Sequence, residues 1–332
     1  MIVLLCALLM AILVLFSAPD GVTGPREGFD SHKAPTIFVS VASYRDDDCS
    51  KTLASLFEQA EDPSRIFVGV CEQNTEDPAE VCASIGEHGK NVRKISIPHT
   101  EAKGPTYARY LCSTLYENEQ YFCQIDSHTR FTKHWDTRAI QCLKSCPSER
   151  PVLTHYPHDM SNYGKGISGV PRLCKSKFDD NRMLTFEAVT LPETKEPKAV
   201  PFVSGGFVFT LGKVIKEVPF DPDLPHLFQG EEVLYSARLY TTGYDAFTPT
   251  SNLAYHHYGR EEKPKFWTDI KEFNEVQMQT LSKVRRLLEF EGRPIRNYSH
   301  GMGTVRTLKQ YWEYAGVDSH TQISTSEKKF CV

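Results

Sequence analysis

The sequence has no concentrated stretch of positive charge, no internal repeat and no low-complexity tract. Its 332 residues carry a formal net charge of −4, and a mildly acidic chain without a basic stripe argues against nucleic acid as the main partner. No linker divides the chain, so we expect one large globular domain after the N-terminal region. The 15 Tyr and 19 Phe residues support a well-buried core.

Charged side chains are also absent from residues 1–18, MIVLLCALLMAILVLFSA. As a helix this run would span roughly 27 Å, enough for a thin bilayer. The alternatives are an uncleaved signal anchor, a cleaved signal peptide and a buried N-terminal helix. Cleavage after Ala18 or Gly24 would meet a proline directly, which disfavours processing. We therefore expect a transmembrane signal anchor at 1–18, a short stem at 19–35 and a luminal domain at 36–332.

Zinc-ligand partners at zinc-finger spacing are missing for every cysteine pair as well. Nine cysteines follow the apolar N-terminal segment, an odd number, so at least one is free or paired between chains. Cys142 and Cys146 are four apart on a predicted helix, where a disulfide between them has poor geometry. Cys71 and Cys123 lie in apolar runs and are expected to be small buried residues. The sequon Asn297–Ser299 fits a luminal surface loop.

What the first half of the chain does have is a regular alternation of strand-like and helical segments. Runs rich in β-branched and aromatic residues predict strands, and segments with apolar residues three and four apart predict helices. The alternation predicts an α/β fold with a mainly parallel central sheet, in which ligands bind beyond the carboxyl ends of the strands. In chain order, strand and helix segments are 36–42, 50–60, 65–73, 79–89, 92–98, 105–118, 120–125 and 134–146.

The second half is less regular but shows no domain boundary. Its pattern predicts strands at 183–191, 199–204, 206–211 and 252–258, and helices at 230–243 and 273–290.

The tripeptide Asp-Ser-His occurs three times, so its position must decide what it means. Asp30–His32 lies in the polar stem, and Asp318–His320 reads as a solvated turn before the polar tail. Asp126–His128 directly follows the fourth predicted strand, and residues two apart in extended chain face the same side. Asp126 and His128 are therefore expected to hold one cation, and carboxylate with imidazole suits Mn²⁺ better than Mg²⁺. The alternative is a surface turn in which Asp126 caps the next helix.

A third metal ligand is expected from the segment AYHHYGR. Its adjacent histidines, His256 and His257, face opposite sides of a strand, so only one should reach the metal, and His256 is favoured. The ordinary alternative is one buried and one exposed histidine. Arg109 follows the third strand and is expected to reach a diphosphate, or else to form a surface salt bridge.

Residues at two further strand ends are candidates for binding a nucleotide. The segment after the first strand is placed to bind base and ribose, and the alternative is a plain turn. A glycine pair would let a ligand approach the backbone closely, unless it marks a bulge. These candidates are Ser43, Tyr44, Arg45, Asp46, Gly205 and Gly206.

Two acids in the segment FQGEE are candidates for a catalytic role. Glu231 and Glu232 are expected to contact the donor or acceptor sugar. The alternative is that they complement the dipole of the helix they begin.

These segments together resemble a nucleotide-sugar glycosyltransferase of the Rossmann-like GT-A fold. The metal motif Asp-x-His is typical of polypeptide GalNAc-transferases. The closer resemblance is to the protist α-N-acetylglucosaminyltransferases that act on polypeptides. It covers about Ile37 to Asp318 and depends on an ordered set of segments: IFVSVASYRDDDCSKTLASLFEQA, GPTYARYL, FCQIDSHTRF, FVSGGFVF, QGEE, HHYGREEKPKFW and GMGTVRTLKQYWEYAGVD.

The resemblance implies a retaining, Mn²⁺-dependent transfer of GlcNAc from UDP-GlcNAc to a polypeptide. It implies Asp126 and His128 as metal ligands, with the third ligand from HHYGR. One branch of the family is Golgi-resident and acts on Thr or Ser of mucin-like proteins; a cytosolic branch acts on hydroxyproline. The apolar N-terminus favours a single-pass type II Golgi membrane protein. The alternatives are the hydroxyproline branch and a non-catalytic sugar-nucleotide- or glycan-binding relative.

Overall fold

The computed structural model describes residues 35–83 and 86–332. The predicted anchor, the Asp30–His32 copy and all of the predicted stem except its last residue lie outside this part of the chain. None of the helices within it combines the length and apolar character needed to span a bilayer.

The strands of the described residues include long core strands and several of only two or three residues. In chain order they are β1 (Ile37–Tyr44), β2 (Ile66–Asn74), β3 (Val92–Pro98), β4 (Tyr121–Asp126), β5 (Thr129–Phe131), β6 (Pro151–Thr154), β7 (His158–Asp159), β8 (Val170–Phe178), β9 (Leu184–Leu191), β10 (Lys198–Ala199), β11 (Phe207–Leu211), β12 (Asp245–Thr248), β13 (Ala254–His256), β14 (Val317–Asp318) and β15 (Ile323–Ser324).

The α-helices of the same residues are mostly short. They are α1 (Cys49–Glu58), α2 (Pro105–Ser113), α3 (Trp135–Lys144), α4 (Val214–Glu217), α5 (Glu231–Thr241), α6 (Phe266–Asp269), α7 (Phe273–Leu287), α8 (Leu308–Ala315) and α9 (Ser326–Phe330). Short 3₁₀ segments occur at Pro63–Arg65, Pro78–Glu80, Gly86–Asn91, His99–Glu101 and Met160–Asn162.

An eight-stranded sheet forms the centre, in the order β3-β2-β1-β4-β11-β6-β12-β10. The pairs β1–β2, β1–β4, β2–β3 and β6–β12 are parallel, whereas β11 is antiparallel to both neighbours and β10 is antiparallel to β12. Six of the eight strands therefore share one direction, which confirms the predicted mainly parallel α/β sheet. The carboxyl ends of β1, β2 and β4 lie side by side at one edge.

Both faces of this sheet are covered, and β1 shows why its sequence is almost continuously apolar. Its residues Ile37, Val39 and Val41 pack into one core with α1 and α3. Phe38, between them, packs into a second core with Val208 and residues of α4 and α5. Alternating side chains point to opposite faces of a strand, so a strand buried on both sides needs apolar residues at nearly every position.

One predicted helix is wrong. The described residues of the segment 79–89 belong to the 3₁₀ segments Pro78–Glu80 and Gly86–Asn91, and Val81–Ala83 have no regular secondary structure. Cys82 is bonded to Cys49 of α1, and its N–H donates to Glu72 Oε1 at 2.6 Å. A contact distant in sequence thus uses the backbone donor that a helix would need.

The strand predicted at 199–204 is also largely wrong, because only its first residue belongs to β10. The N–H of Val203 donates to Ser236 Oγ and that of Ser204 donates to Thr154 Oγ1, both at 2.8 Å. At these two residues side-chain hydroxyls replace a neighbouring strand as hydrogen-bond acceptors, so the chain does not continue in the sheet there.

Two disulfides join cysteines of the described residues, Cys49–Cys82 and Cys174–Cys331. The remaining cysteines of the described residues are free and buried, as expected for Cys71 and Cys123; the set is Cys71, Cys112, Cys123, Cys142 and Cys146. The second disulfide ties β8 to the C-terminal segment after α9.

Gly212, the residue after β11, is a sensitive point of this packing. Its N–H donates to Gln120 O at 2.8 Å, and a Cβ there would lie 2.6 Å from Tyr116 Oη and overlap the carbonyl oxygen of Glu119. We expect Gly212→Ala to lower the free energy of unfolding by about 3 kcal/mol, since a backbone oxygen cannot move aside. A urea titration measures this. Gly89→Ala, where nothing lies within 4 Å of the new Cβ, should stay within about 0.5 kcal/mol, and an equal loss in both variants would contradict the explanation.

Candidate active site

A small second sheet assembles the candidate metal ligands. Asp126 ends β4, and His128 lies two residues later, directly before β5. β5 pairs antiparallel with β13, and this register places His256 opposite Thr129. A residue 130 positions away in the chain is thereby brought beside the Asp-Ser-His turn.

Asp126, His128 and His256 form one group whose potential ligand atoms all lie within 4.8 Å of one another. His256 Nε2 is 3.1 Å from Asp126 Oδ2, and His256 Nδ1 is buried without a hydrogen-bond partner in the described chain. His257 does not join this group; it follows the end of β13, and its N–H donates to His128 O at 3.1 Å. Of the two adjacent histidines, the structure brings His256 to the other ligands.

Arg109 holds the opposite side of Asp126. Its Nη2 donates to Asp126 Oδ1 at 3.0 Å and to Gly205 O at 2.9 Å, while its Nη1 donates to Glu231 Oε1. Burial alone would raise the pKa of Asp126, but the hydrogen bond from His256 and the charge of Arg109 outweigh it and keep that pKa well below its ordinary value. Asp126 is therefore ionised at neutral pH, as a metal ligand must be.

The two acids of the FQGEE segment are both at the site, but each is engaged by the protein. Glu231 pairs with Arg109. Glu232 accepts hydrogen bonds from Gly205 N and Tyr156 Oη, both at 2.7 Å. Burial raises the pKa of Glu232, although both donors oppose the shift. Neither carboxylate is placed as a free nucleophile.

Gly205 and Gly206 leave room for the side chains of Arg109 and Asp126. A Cβ on Gly205 would lie 3.1 Å from Arg109 Nη1, and a Cβ on Gly206 would lie 3.2 Å from Asp126 Oδ2. Glycine here admits the side chains of the site, in addition to any close approach of a ligand.

The residues Ser43–Asp46, at the carboxyl end of β1, lie in two different environments. Tyr44 lines the cleft, and its hydroxyl donates to Asp269 Oδ2 at 2.7 Å. Arg45 donates to the same carboxylate at 2.7 Å and to Glu80 Oε1 at 3.1 Å. Ser43 is buried and, with Arg45 and Asp46, is not among the residues that line the cleft.

Asp46 was expected to bind base or ribose, and its position in the structure is different. It is 1 % exposed, and its carboxylate contacts His128 and Arg260. Burial lowers the pKa of His128, and the hydrogen bond to Asp46 opposes that shift. The position of Asp46 at a strand end predicted that it lies near the site. It did not predict which groups the Asp46 carboxylate contacts.

A cleft of about 490 Å³ opens in front of the metal-ligand group. Its lining includes Tyr44, Gln73 and Pro105, together with aromatic residues that the sequence reasoning did not identify. Phe228 is 51 % exposed and Trp267 is 38 % exposed, with their ring centroids 5.2 Å apart. A cavity of this size suits a nucleotide-sized ligand.

The Asp318–His320 copy does not contribute to this site. His320 N and Thr321 N donate to Asp318 Oδ1 at 2.9 and 3.0 Å, which forms a closed exposed turn. The predicted solvated turn is confirmed.

The sequence matches the family described as Glycosyltransferase (GlcNAc) over residues 36–89 and 84–321. The chain belongs to this family. It is therefore a glycosyltransferase, and the matched ranges include every candidate site residue named above. A comparison with curated protein sequences gives no match.

Solved structures similar to this glycosyltransferase include GalNAc-T7 with UDP, GalNAc and Mn²⁺, at 15 % identity and a TM-score of 0.54 over 90 % of this chain and 57 % of that one. S. aureus TarS has 16 % identity and a TM-score of 0.47 over 76 % of this chain and 40 % of that one. The chain thus spans little more than half the length of GalNAc-T7. The likeness to GalNAc-T7 shows the predicted GT-A fold.

Proposed function

We propose that the protein is a Mn²⁺-dependent retaining glycosyltransferase that transfers GlcNAc from UDP-GlcNAc to Thr or Ser hydroxyls of a polypeptide. The observation that carries this proposal is the Asp126–His128–His256 group at the end of β4, beside a nucleotide-sized cleft. The family description supports GlcNAc as the sugar. The resemblance to polypeptide-directed transferases supports a mucin-like, Thr/Ser-rich acceptor.

The residues present fit a divalent cation of the Mn²⁺ type. One ionised carboxylate and two imidazoles are a mixed oxygen and nitrogen donor set, which suits Mn²⁺ better than Mg²⁺. The buried, unpartnered Nδ1 of His256 is a further polar atom of this group that the described chain leaves unsatisfied. A bound cation would neutralise charge on the UDP leaving group.

The protein's own side chains support a front-face mechanism. Glu231 and Glu232 are held by Arg109, Gly205 and Tyr156, so neither is available to attack the sugar. In the proposed step the acceptor oxygen bonds to C1 of GlcNAc while the bond from C1 to the β-phosphate oxygen breaks. The acceptor proton moves to the departing phosphate, and the new bond forms on the face that the phosphate leaves.

Arg109 contributes differently from the sequence expectation. Both of its Nη atoms are already bonded within the protein. We propose that it keeps Asp126 ionised and in place, rather than binding the diphosphate directly. Tyr44, which lines the cleft, is then the residue of Ser43–Asp46 best placed to contact the nucleotide.

A donor and metal panel tests the proposal. The fragment 35–332 should hydrolyse UDP-GlcNAc faster than UDP-GalNAc or UDP-glucose with Mn²⁺, and EDTA should abolish the reaction. Thr-rich peptides should accept the sugar in preference to hydroxyproline peptides. Turnover unaffected by EDTA would contradict the metal role, and preference for UDP-GalNAc would contradict the donor.

We further propose that the catalytic domain lies in the Golgi lumen. Two disulfides support an oxidising compartment, and Asn297 of the sequon is exposed. A reporter fused to residues 1–35 should reach the Golgi; a cytosolic reporter would contradict this location.

A further inference from the structure

Asp46 is a buried carboxylate with four hydrogen-bond contacts. Its Oδ1 accepts from Asp48 N at 3.1 Å and pairs with Arg260 Nη2 at 2.9 Å. Its Oδ2 accepts from Ser127 Oγ at 2.5 Å and lies 2.9 Å from His128 Nδ1. These contacts fix the carboxylate against the ring of a candidate metal ligand.

His128 Nδ1 has a second neighbour that makes the opposite demand. Arg260 Nη1 lies 2.7 Å from Nδ1 and 3.4 Å from Nε2. Arginine only donates, whereas the Asp46 carboxylate only accepts. Nδ1 cannot serve both at once, so the two contacts are alternatives.

The two alternatives have different consequences for a cation. When Nδ1–H donates to Asp46, Nε2 keeps a free lone pair, as in the carboxylate–histidine–metal arrangement. When Arg260 donates to Nδ1, the ring hydrogen resides on Nε2, which then cannot be a ligand. Arg260 also brings a positive charge next to the site.

We propose that Asp46 is a positioning residue that presents Nε2 of His128 to the cation, and that Arg260 opposes it by competing for Nδ1. The inference rests on the proposed metal centre and names two residues that control it. It replaces the expectation that Asp46 contacts the nucleotide.

The segment that contains Arg260 is held against the turn after β1 by ion pairs. Three ion pairs join residues 260–269 to the turn after β1: Arg260–Asp46, Lys263–Asp47 at 2.7 Å and Asp269–Arg45 at 2.7 Å. Lys263 and Asp47 link the same two segments at the surface. Asp47 therefore offers a matched control for Asp46.

Mn²⁺ binding, measured from the electron paramagnetic resonance signal of free Mn²⁺, tests the proposal on the full chain. Asp46→Asn should weaken binding about 10- to 100-fold. Arg260→Met should tighten it about twofold to fivefold, the gain expected when the binding-competent ring form makes up about a fifth to a half of the wild-type population. Asp47→Asn should stay within about twofold of the wild type.

The opposite signs separate positioning from a general structural role. Asp46→Asn and Arg260→Met both break the same buried pair, so destabilisation alone would move them in the same direction. Equal affinity of Asp46→Asn and wild type, or weakening by Arg260→Met, would overturn the inference and leave the metal centre standing. Absence of Mn²⁺ binding by the wild type would overturn both.

A metal-free measurement gives a second readout. The ¹⁵N chemical shifts of the His128 ring, assigned by comparison with His128→Gln, report which nitrogen carries the hydrogen. Asp46→Asn should lower the Nδ1–H fraction and Arg260→Met should raise it. Identical ring shifts in all three proteins would overturn the proposal even if Asp46→Asn were too unstable for metal titration.

Discussion

Replacing Asp126 or His128 with alanine should lower Mn²⁺-dependent turnover of UDP-GlcNAc by at least about a hundredfold. Loss of a group that merely orients a metal ligand typically costs 10- to 100-fold, and loss of a ligand itself should cost more. Asp126→Ala also leaves the buried guanidinium of Arg109 without one of its acceptors. Initial rates over a range of Mn²⁺ concentrations, with thermal melting to confirm folding, measure the effect.

The chain supplies a matched control for this prediction. His320 belongs to another copy of the Asp-Ser-His tripeptide, and it lies exposed in a closed turn. His320→Ala should keep turnover within about twofold and leave the melting temperature unchanged. Should folded His128→Ala retain more than a tenth of wild-type turnover, His128 is not a metal ligand in the working enzyme.

Removal of the Cys174–Cys331 disulfide should have the largest effect on stability. The bond joins residues separated by 157 positions, and restricting so long a loop in the unfolded chain is worth about 5 kcal/mol. Cys174→Ala should therefore lower the free energy of unfolding by about that amount, seen as an earlier midpoint in urea. Contacts of the joined segments, such as Ser176 with Ser324 at 2.7 Å, should loosen with it.

The second disulfide provides the comparison. Cys49 and Cys82 are separated by 33 positions, so Cys49→Ala should cost about 1.4 kcal/mol less than Cys174→Ala. Cys146→Ala, at a buried free cysteine, should cost only about 1 kcal/mol. A smaller loss for Cys174→Ala than for Cys49→Ala would show that loop length does not govern these bonds.

The sheet and the Asp126–His128 pair could be predicted because local patterns encode them. Apolar runs such as that of β1 are buried on both faces, and their alternation with helices predicts where carboxyl ends meet. That rule alone separated Asp126–His128 from its two copies. The tripeptide itself could not have done so, because all three copies contain the same three residues.

What could not be predicted depends on contacts between distant segments. The helix expected at 79–89 is replaced because Cys82 bonds to Cys49 and its N–H bonds to Glu72. Asp46 and Arg260 are 214 positions apart, so no local sequence pattern showed that Arg260 pairs with the Asp46 carboxylate beside His128. The strand-end rule places residues near a site, while their roles follow from partners that only the fold brings together.

The pairing of β5 with β13 also determines when the candidate metal centre can exist during folding. Asp126 and His128 are two residues apart in the chain, but His256 joins them only after a contact of high sequence separation has formed. Such contacts carry a large loop-closure cost and form slowly. Tight Mn²⁺ binding should therefore appear late in refolding and report completion of the whole domain, while the ion would stabilise the folded state selectively.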